Sequence, residues 1–284
     1  MMKKTFDYYR YQLVPKDYIE FDLFKKTYSI EEIKANKNIF FAKVLKEVHF
    51  ANRKGKLPFK VNMANDNVYW IQLANIKSTT YIADFEEHSI TTEPYVNILI
   101  DNDPTKQVIA ISRNSQAYAS TEQVVDIMQQ ALSLELKKYN LKLYISAINE
   151  RDTFWNIIKK TRGQVTRIEI EIIKPNLSNI SHSLKEDVRT LIEDTNSHLT
   201  TLKLESAEDG ILSGITPKNE NLNGIIDYSA EGGGNIKVKV RGQKELIQTK
   251  KSIKKIRVKF DIDITTNKPE EIKDVVKGVL NHIQ

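Results

Sequence analysis

The chain contains no cysteine, which rules out disulfide staples, zinc ribbons and thiol nucleophiles together. It also lacks any apolar run long enough for a membrane-spanning helix. The first residues, MMKKTFDYYRYQ, place two lysines ahead of no apolar stretch, so they do not read as a secretory signal. Catalytic signatures are missing too. There is no GxSxG elbow and no GxxxxGK[ST] loop between a strand and a helix. The five histidines (His49, His88, His182, His198 and His282) show no HExxH or HxxxH spacing. The expectation is a cytoplasmic protein with no cofactor, no resident metal and no direct membrane insertion, and no residue is nominated as catalytic.

What remains is enough to build a core. Hydrophobic residues make up 40% of 284 positions, a length that favours two domains. Residues 5–14 and 18–23 read as strands. SIEE at 29–32 is a capping box, with Ser29 capping a helix and Glu32 reaching back. Residues 59–82 are strand-like, and YVNILI at 95–100 and QVIAIS at 107–112 flank the turn-forming DNDPTK as a hairpin. STEQ at 120–123 is a second capping box, and 141–148 alternates as a strand.

A boundary at 149–152 separates residues 1–150 from 151–284. The second half opens with a short helix and a strand at 165–173, stopped by Pro175 and Asn176. A helix at 183–195, a strand at 199–204 and a helix at 219–231 follow. Gly232 then ends that helix, because glycine alone takes a left-handed conformation without penalty. Basic strands at 236–241 and 255–264 come next, and the last helix is capped by Asn267 with Pro269 in its first turn. The fold class expected is α+β: a mostly antiparallel N-terminal domain with two helices, then an α/β two-layer domain carrying a basic β-hairpin.

Charge is unevenly spread. The chain carries a net +6, from 43 basic and 37 acidic residues. Between Gly232 and Phe260 stand ten basic residues against the single acid Glu245, so the rest of the chain is net acidic. Ile236, Val238 and Val240 alternate with Lys237, Lys239 and Arg241. Ile256, Val258, Phe260, Ile262 and Ile264 alternate with Lys255, Arg257 and Lys259. Paired as a hairpin, these strands would set like charges side by side, a destabilising arrangement that a bound polyanion would relieve. Lys244, Lys250, Lys251 and Lys254 belong to the connecting segment at 242–252, a ribbon or arm able to clamp a nucleic-acid backbone. Arg53, Lys54 and Lys56 form a second basic element. These thirteen residues are the candidate nucleic-acid contacts, with duplex DNA the favoured ligand.

Other readings stay open. Lysines on edge strands also block aggregation. Glu169 with Glu171, or Asp261 with Asp263, can hold Mg²⁺ in a nuclease, although both pairs also read as exposed partners of neighbouring lysines. A scaffold docking an acidic protein would use the same cations. Tyr8, Tyr9, Tyr11, Tyr69 and Trp70 can stack on bases, but at strand positions they read as core.

The layout of FDYYRYQL, VYWIQL, YVNILI and WNIIKKTRGQVTRIEIEIIKPN resembles that of the lambda RexA-type phage-exclusion proteins. The resemblance spans about the first two-thirds of the chain, fades beyond Leu199 and carries no signature residue across. It implies a dimeric, non-catalytic, DNA-binding sensor in antiphage defence, working beside a membrane effector.

Overall fold

Residues 6–14 of the first strand are buried without a break, and the larger part of the fold is arranged around them. The computed structural model describes residues 3–16, 28–65, 67–174, 182–260, 262 and 267–283. In chain order the first elements are β1 (Lys3–Pro15), α1 (Ile30–Glu47), β2 (Ala51–Asn52), β3 (Gly55–Lys56), β4 (Phe59–Asn65) and β5 (Val68–Ala74). Next come β6 (Lys77–Ala83), β7 (Glu86–Thr92), β8 (Tyr95–Asp101), β9 (Val108–Ser112), α2 (Thr121–Leu136) and β10 (Leu141–Ala147). The second half holds α3 (Thr153–Lys160), β11 (Val165–Ile173), α4 (Glu186–Asp194), β12 (Leu199–Glu205) and α5 (Glu220–Tyr228). It ends with β13 (Gly234–Val240), β14 (Ile247–Gln248), β15 (Lys255–Lys259) and α6 (Pro269–Leu280). The fold is α+β, and each pairing between these strands is antiparallel.

The large sheet runs β10-β1-β9-β8-β5-β4, with β15 also paired to β1. Because side chains alternate along a strand, β1 feeds two cores. Tyr9, Tyr11 and Leu13 pack with α1 and α2, while Phe6 and Tyr8 face α6 on the opposite side. This is why the strand shows no polar face. Tyr8, Tyr9, Tyr11, Tyr69 and Trp70 are all buried, as their strand positions require. The Ser29–Glu32 capping box is present in both directions. At α2 the second box does not form: Ser120 makes no capping bond, and Gln123 accepts from the Ala119 N–H, one residue before the cap. Thr121 donates instead to buried Asp7 at 2.6 Å and lies 2.7 Å from the Tyr9 hydroxyl, pinning the helix start to β1.

The smaller sheet runs β12-β11-β13-β14. Ile168, Ile170 and Ile172 of β11 and Ile236, Val238 and Val240 of β13 pack against Phe154 of α3, Ile192 of α4 and Leu222, Ile225 and Ile226 of α5. β6 and β7 form a separate exposed hairpin turned at Asp84 and Phe85, both with positive φ. Among the described residues no helix is long and apolar enough to cross a membrane.

Four expectations need correction. The basic strands do not form a hairpin: β13 lies between β11 and β14, whereas β15 pairs with β1. The segment at 242–252 is accordingly no free ribbon, since it folds back as β14 and a turn at Thr249–Lys251. The division at 150 also fails to contain the C-terminus, because β15 and α6 return to the first sheet. The cause is a vacant edge. β10 covers β1 only from Tyr9 onward, leaving Lys3, Lys4, Thr5, Phe6 and Asp7 to pair with β15. Phe260 then meets Phe6 and Trp70 edge-on at 5.2 and 5.8 Å, and Ile272, Val276 and Val279 of α6 close over them. Lys268, not Asn267, is the N-cap of α6, with Glu271 accepting from its backbone N–H at 3.2 Å. The strand expected at 18–23, the stop at Pro175 and Asn176, and Asp261, Asp263 and Ile264 lie outside the described residues.

The glycine run ends α5 as expected, through one wide turn at Ser229–Gly233. Gly232 has φ +90°, and a Cβ there would sit 2.5 Å from Cβ of Arg10. Gly234 is needed for a different reason: its Cβ would fall 1.8 Å from the Glu171 carbonyl oxygen. Gly232→Ala should therefore lower stability by about 2 kcal/mol or more, the cost of a left-handed residue plus the clash. A shift of the urea midpoint measures it.

A second expectation concerns alkaline pH. Burial raises Tyr8, Tyr9, Tyr11 and Tyr228 above their ordinary value and pushes Tyr118 up to about 12. Above the ordinary tyrosine value of 10.0 the unfolded chain releases protons that the folded chain keeps. Stability present below that pH is therefore lost as pH rises. Denaturant midpoints should fall steeply beyond about pH 10, and a flat profile there would contradict the buried hydroxyls.

Candidate nucleic-acid interface

The outward face of the smaller sheet is a ladder of alternating charge. In the register, Glu169 of β11 lies between Lys203 of β12 and Lys237 of β13, and Arg167 lies between Glu205 and Lys239. Lys237 Nζ sits 2.5 Å from Glu171 Oε1. Arg167 pairs with Glu169 at 3.1 Å and Glu205 at 3.4 Å, and Lys203 reaches Glu205 at 2.5 Å. Two expected contacts are spent on backbone carbonyls: Lys239 Nζ donates to Lys244 O at 2.7 Å, and Arg241 Nη2 donates to Asp209 O and Gly210 O. The row Lys237, Lys239 and Arg241 is therefore internally satisfied, not an open cationic face. The same geometry explains Glu169 and Glu171, which neutralise their neighbours. Among the described residues no group of three or more His, Asp or Glu converges as metal ligands do.

β15 differs. Lys255, Arg257 and Lys259 are exposed and share one face, spaced about 7 Å apart along the strand. Across the ladder, Lys259 is opposite Lys3, Arg257 opposite Thr5 and Lys255 opposite Asp7. The acid in this row is committed elsewhere, since buried Asp7 accepts from Arg113 Nε at 2.8 and 2.9 Å and from Thr121. Among the described residues Lys3, Lys255, Arg257 and Lys259 make no ion pair or side-chain hydrogen bond. Arg113, half exposed, is held beside them, its N–H donating to Thr5 O at 2.8 Å. Lys3, Lys4, Thr5, Tyr95, Arg113 and Arg257 line an open cleft of about 490 Å³ at this edge.

The remaining candidates scatter. Lys250 and Lys251 are exposed on the turn before β15, and Lys244 is exposed beyond β13. Lys254 is half-buried and faces another cleft. Arg53, Lys54 and Lys56 occupy the exposed β2–β3 hairpin that leads into β4, the sheet edge opposite β15. Lys3 and Arg113 escaped the sequence reading. Lys3 stands just before the first expected strand, and Arg113 is an isolated cation at the end of another. Their adjacency exists only through β-pairing.

These two faces should respond differently to charge reversal. Lys237→Glu breaks the pair with Glu171 and sets like charges across from Glu169. It should cost about 1 kcal/mol or more at low ionic strength, read as a lower melting midpoint that recovers partly in 1 M salt. The same reversal at Arg257 should leave the midpoint unchanged or raise it.

A comparison with curated proteins finds no match. A family model described as Domain of unknown function (DUF4747) matches residues 21–277, which takes in every strand from β2 to β15 and most of α6 but leaves out β1. On a match of that extent, the chain belongs to the DUF4747 family.

Proposed function

We propose that the protein binds nucleic acid, with duplex DNA as the ligand, through backbone phosphates and without sequence preference. One observation carries this: Lys3 directly faces Lys259 across the β1–β15 ladder, with Arg257 and Lys255 continuing the row and, among the described residues, no acid paired with it. Opposed like charges weaken a sheet by up to about 1 kcal/mol, and a polyanion along the edge reverses that sign. The contact surface moves accordingly, from the hairpin expected in the sequence to the β15 edge of the larger sheet.

A duplex is favoured over a single strand because Tyr8, Tyr9, Tyr11, Tyr69 and Trp70 are core residues, which leaves Tyr95, among the described residues, as the one aromatic lining the cleft at this edge. Lysine and arginine on a strand position phosphates, but they read no base edges from this arrangement. The wider setting in this proposal is cytoplasmic antiphage defence, as a homo-oligomer beside a membrane effector, and its support is the layout resemblance alone.

The test is a salt titration of duplex binding by the full chain. With four cations neutralising phosphates, log K should fall by about 4 per tenfold rise in salt. Lys255→Glu/Arg257→Glu/Lys259→Glu should weaken binding at least tenfold and flatten that slope, with the fold intact by circular dichroism. Unchanged binding in that variant would refute the site. No binding by the unmodified protein at about 50 mM salt would refute the activity.

A further inference from the structure

The two sheets meet at a cleft of about 430 Å³ on the α6 side of the large sheet, away from the β15 cations. Its floor is Arg10. That residue follows Phe6 and Tyr8 on the α6 face of β1 and is only 6% exposed. Its Nε donates to Glu231 O at 2.6 Å and its Nη1 to Lys106 O at 2.5 Å. Among the described residues no carboxylate lies within ion-pair distance of it, and Nη2 has no protein partner. Its hydrogen bonds go to carbonyls, and the nearby Glu231 carboxylate acts on it without a direct ion pair, so a guanidinium buried with this little compensation has an anion as its natural complement.

A second cation sits in the same wall. Lys254 is half-buried, lines the cleft and makes no side-chain ion pair among the described residues. Alternation along the strand sets it on the opposite face from Lys255. The mouth of the cleft carries Arg151, paired with Asp227 at 3.6 Å. Acceptors complete the lining: Asp227, Glu231, Glu150 and Asn149. Burial raises the Glu231 carboxyl above its ordinary value, while Arg10 opposes that shift.

Backbone bonds make the cleft a built feature. Asn149 N–H donates to Ala230 O at 2.9 Å, Lys254 N–H to Ile148 O at 2.7 Å, and Ile148 N–H to Tyr8 O at 2.9 Å. In the glycine turn the missing Cβ of Gly232 faces Arg10. Strand, linker and turn are thereby locked around one guanidinium.

We propose that this cleft binds a small phosphate monoester on a hydroxyl-bearing body, the phosphate seated on Arg10 and Lys254 and the hydroxyls donating to Asp227, Glu231 and Asn149. The two unpaired cations match a doubly charged phosphate better than a single carboxylate. The acceptors on the other side require donors, which inorganic phosphate does not supply in sufficient number. The volume falls within the range of small-molecule sites, and junctions between structural units are where such sites concentrate. Sugar phosphates and nucleoside monophosphates share this chemistry.

The experiment measures thermal shift and calorimetric binding of the full chain with ribose 5-phosphate, AMP, inorganic phosphate and ribose. A rise of several degrees with ribose 5-phosphate or AMP, and little with phosphate or ribose alone, is the expected result. AMP stabilising more than ribose 5-phosphate would assign a nucleotide, and the reverse a sugar phosphate. Lys254→Met, whose side chain ties no element together, should abolish the shift with the fold intact. Arg10→Lys should weaken binding at least tenfold, and because it can also loosen the fold, Lys254→Met decides the outcome. No shift with either monoester, an equal shift with inorganic phosphate, or full binding by Lys254→Met would overturn the proposal. Lys255→Glu/Arg257→Glu/Lys259→Glu should leave monoester binding unchanged, which separates this site from the duplex interface. Loss of both in that variant would overturn the cleft as an independent site.

Discussion

One guanidinium, that of Arg10, is the constraint from which the joining of the two sheets follows. It is buried on β1, yet its hydrogen bonds reach Lys106 in the β8–β9 loop and Glu231 in the turn after α5. A charged donor removed from water must be satisfied or it destabilises the fold by several kcal/mol. Carbonyls from two distant segments supply that satisfaction. Glycine at 232 is then obligatory, because any side chain would occupy the space of Arg10 itself. The three glycines are thus neither a phosphate cradle nor a simple chain reversal. They bring a helix end close enough to cap a buried cation.

Strand pairing decides the electrostatics of the rest. Lys237, Lys239 and Arg241 on β13 look identical in pattern to Lys255, Arg257 and Lys259 on β15. Their neighbours are not identical. β13 lies beside β11, whose outward residues are Arg167, Glu169 and Glu171, so its charges are absorbed in a ladder. β15 lies beside the start of β1, whose residues opposite its cations are Lys3, Thr5 and a buried Asp7 already bonded to Arg113 and Thr121. The same alternation is a stabilising device in one sheet and, among the described residues, an edge without ion pairs in the other.

Much of the local structure was legible. The capping box at Ser29, the β8–β9 hairpin, the Ile168–Ile170–Ile172 stripe and the left-handed Gly232 all follow from short-range rules. Spacing sets the face, and residue type sets the cap or turn. The core assignment of Tyr8, Tyr9, Tyr11, Tyr69 and Trp70 also followed from strand position. Less legible was the absence of the box at Ser120, where a tertiary acceptor, Asp7, drew the neighbouring Thr121 into a buried network.

What residue order could establish was periodicity, composition and the uneven spread of charge, because these depend on neighbours within a few positions. Which strand lies beside which was beyond it. β15 joins β1 across some 250 residues of chain because the first residues of β1 lacked a partner and Phe260 fits between Phe6 and Trp70. That long-range choice, made by apolar packing and an unpaired backbone edge, left Lys3 facing Lys259 and folded Lys254 into the cleft of Arg10.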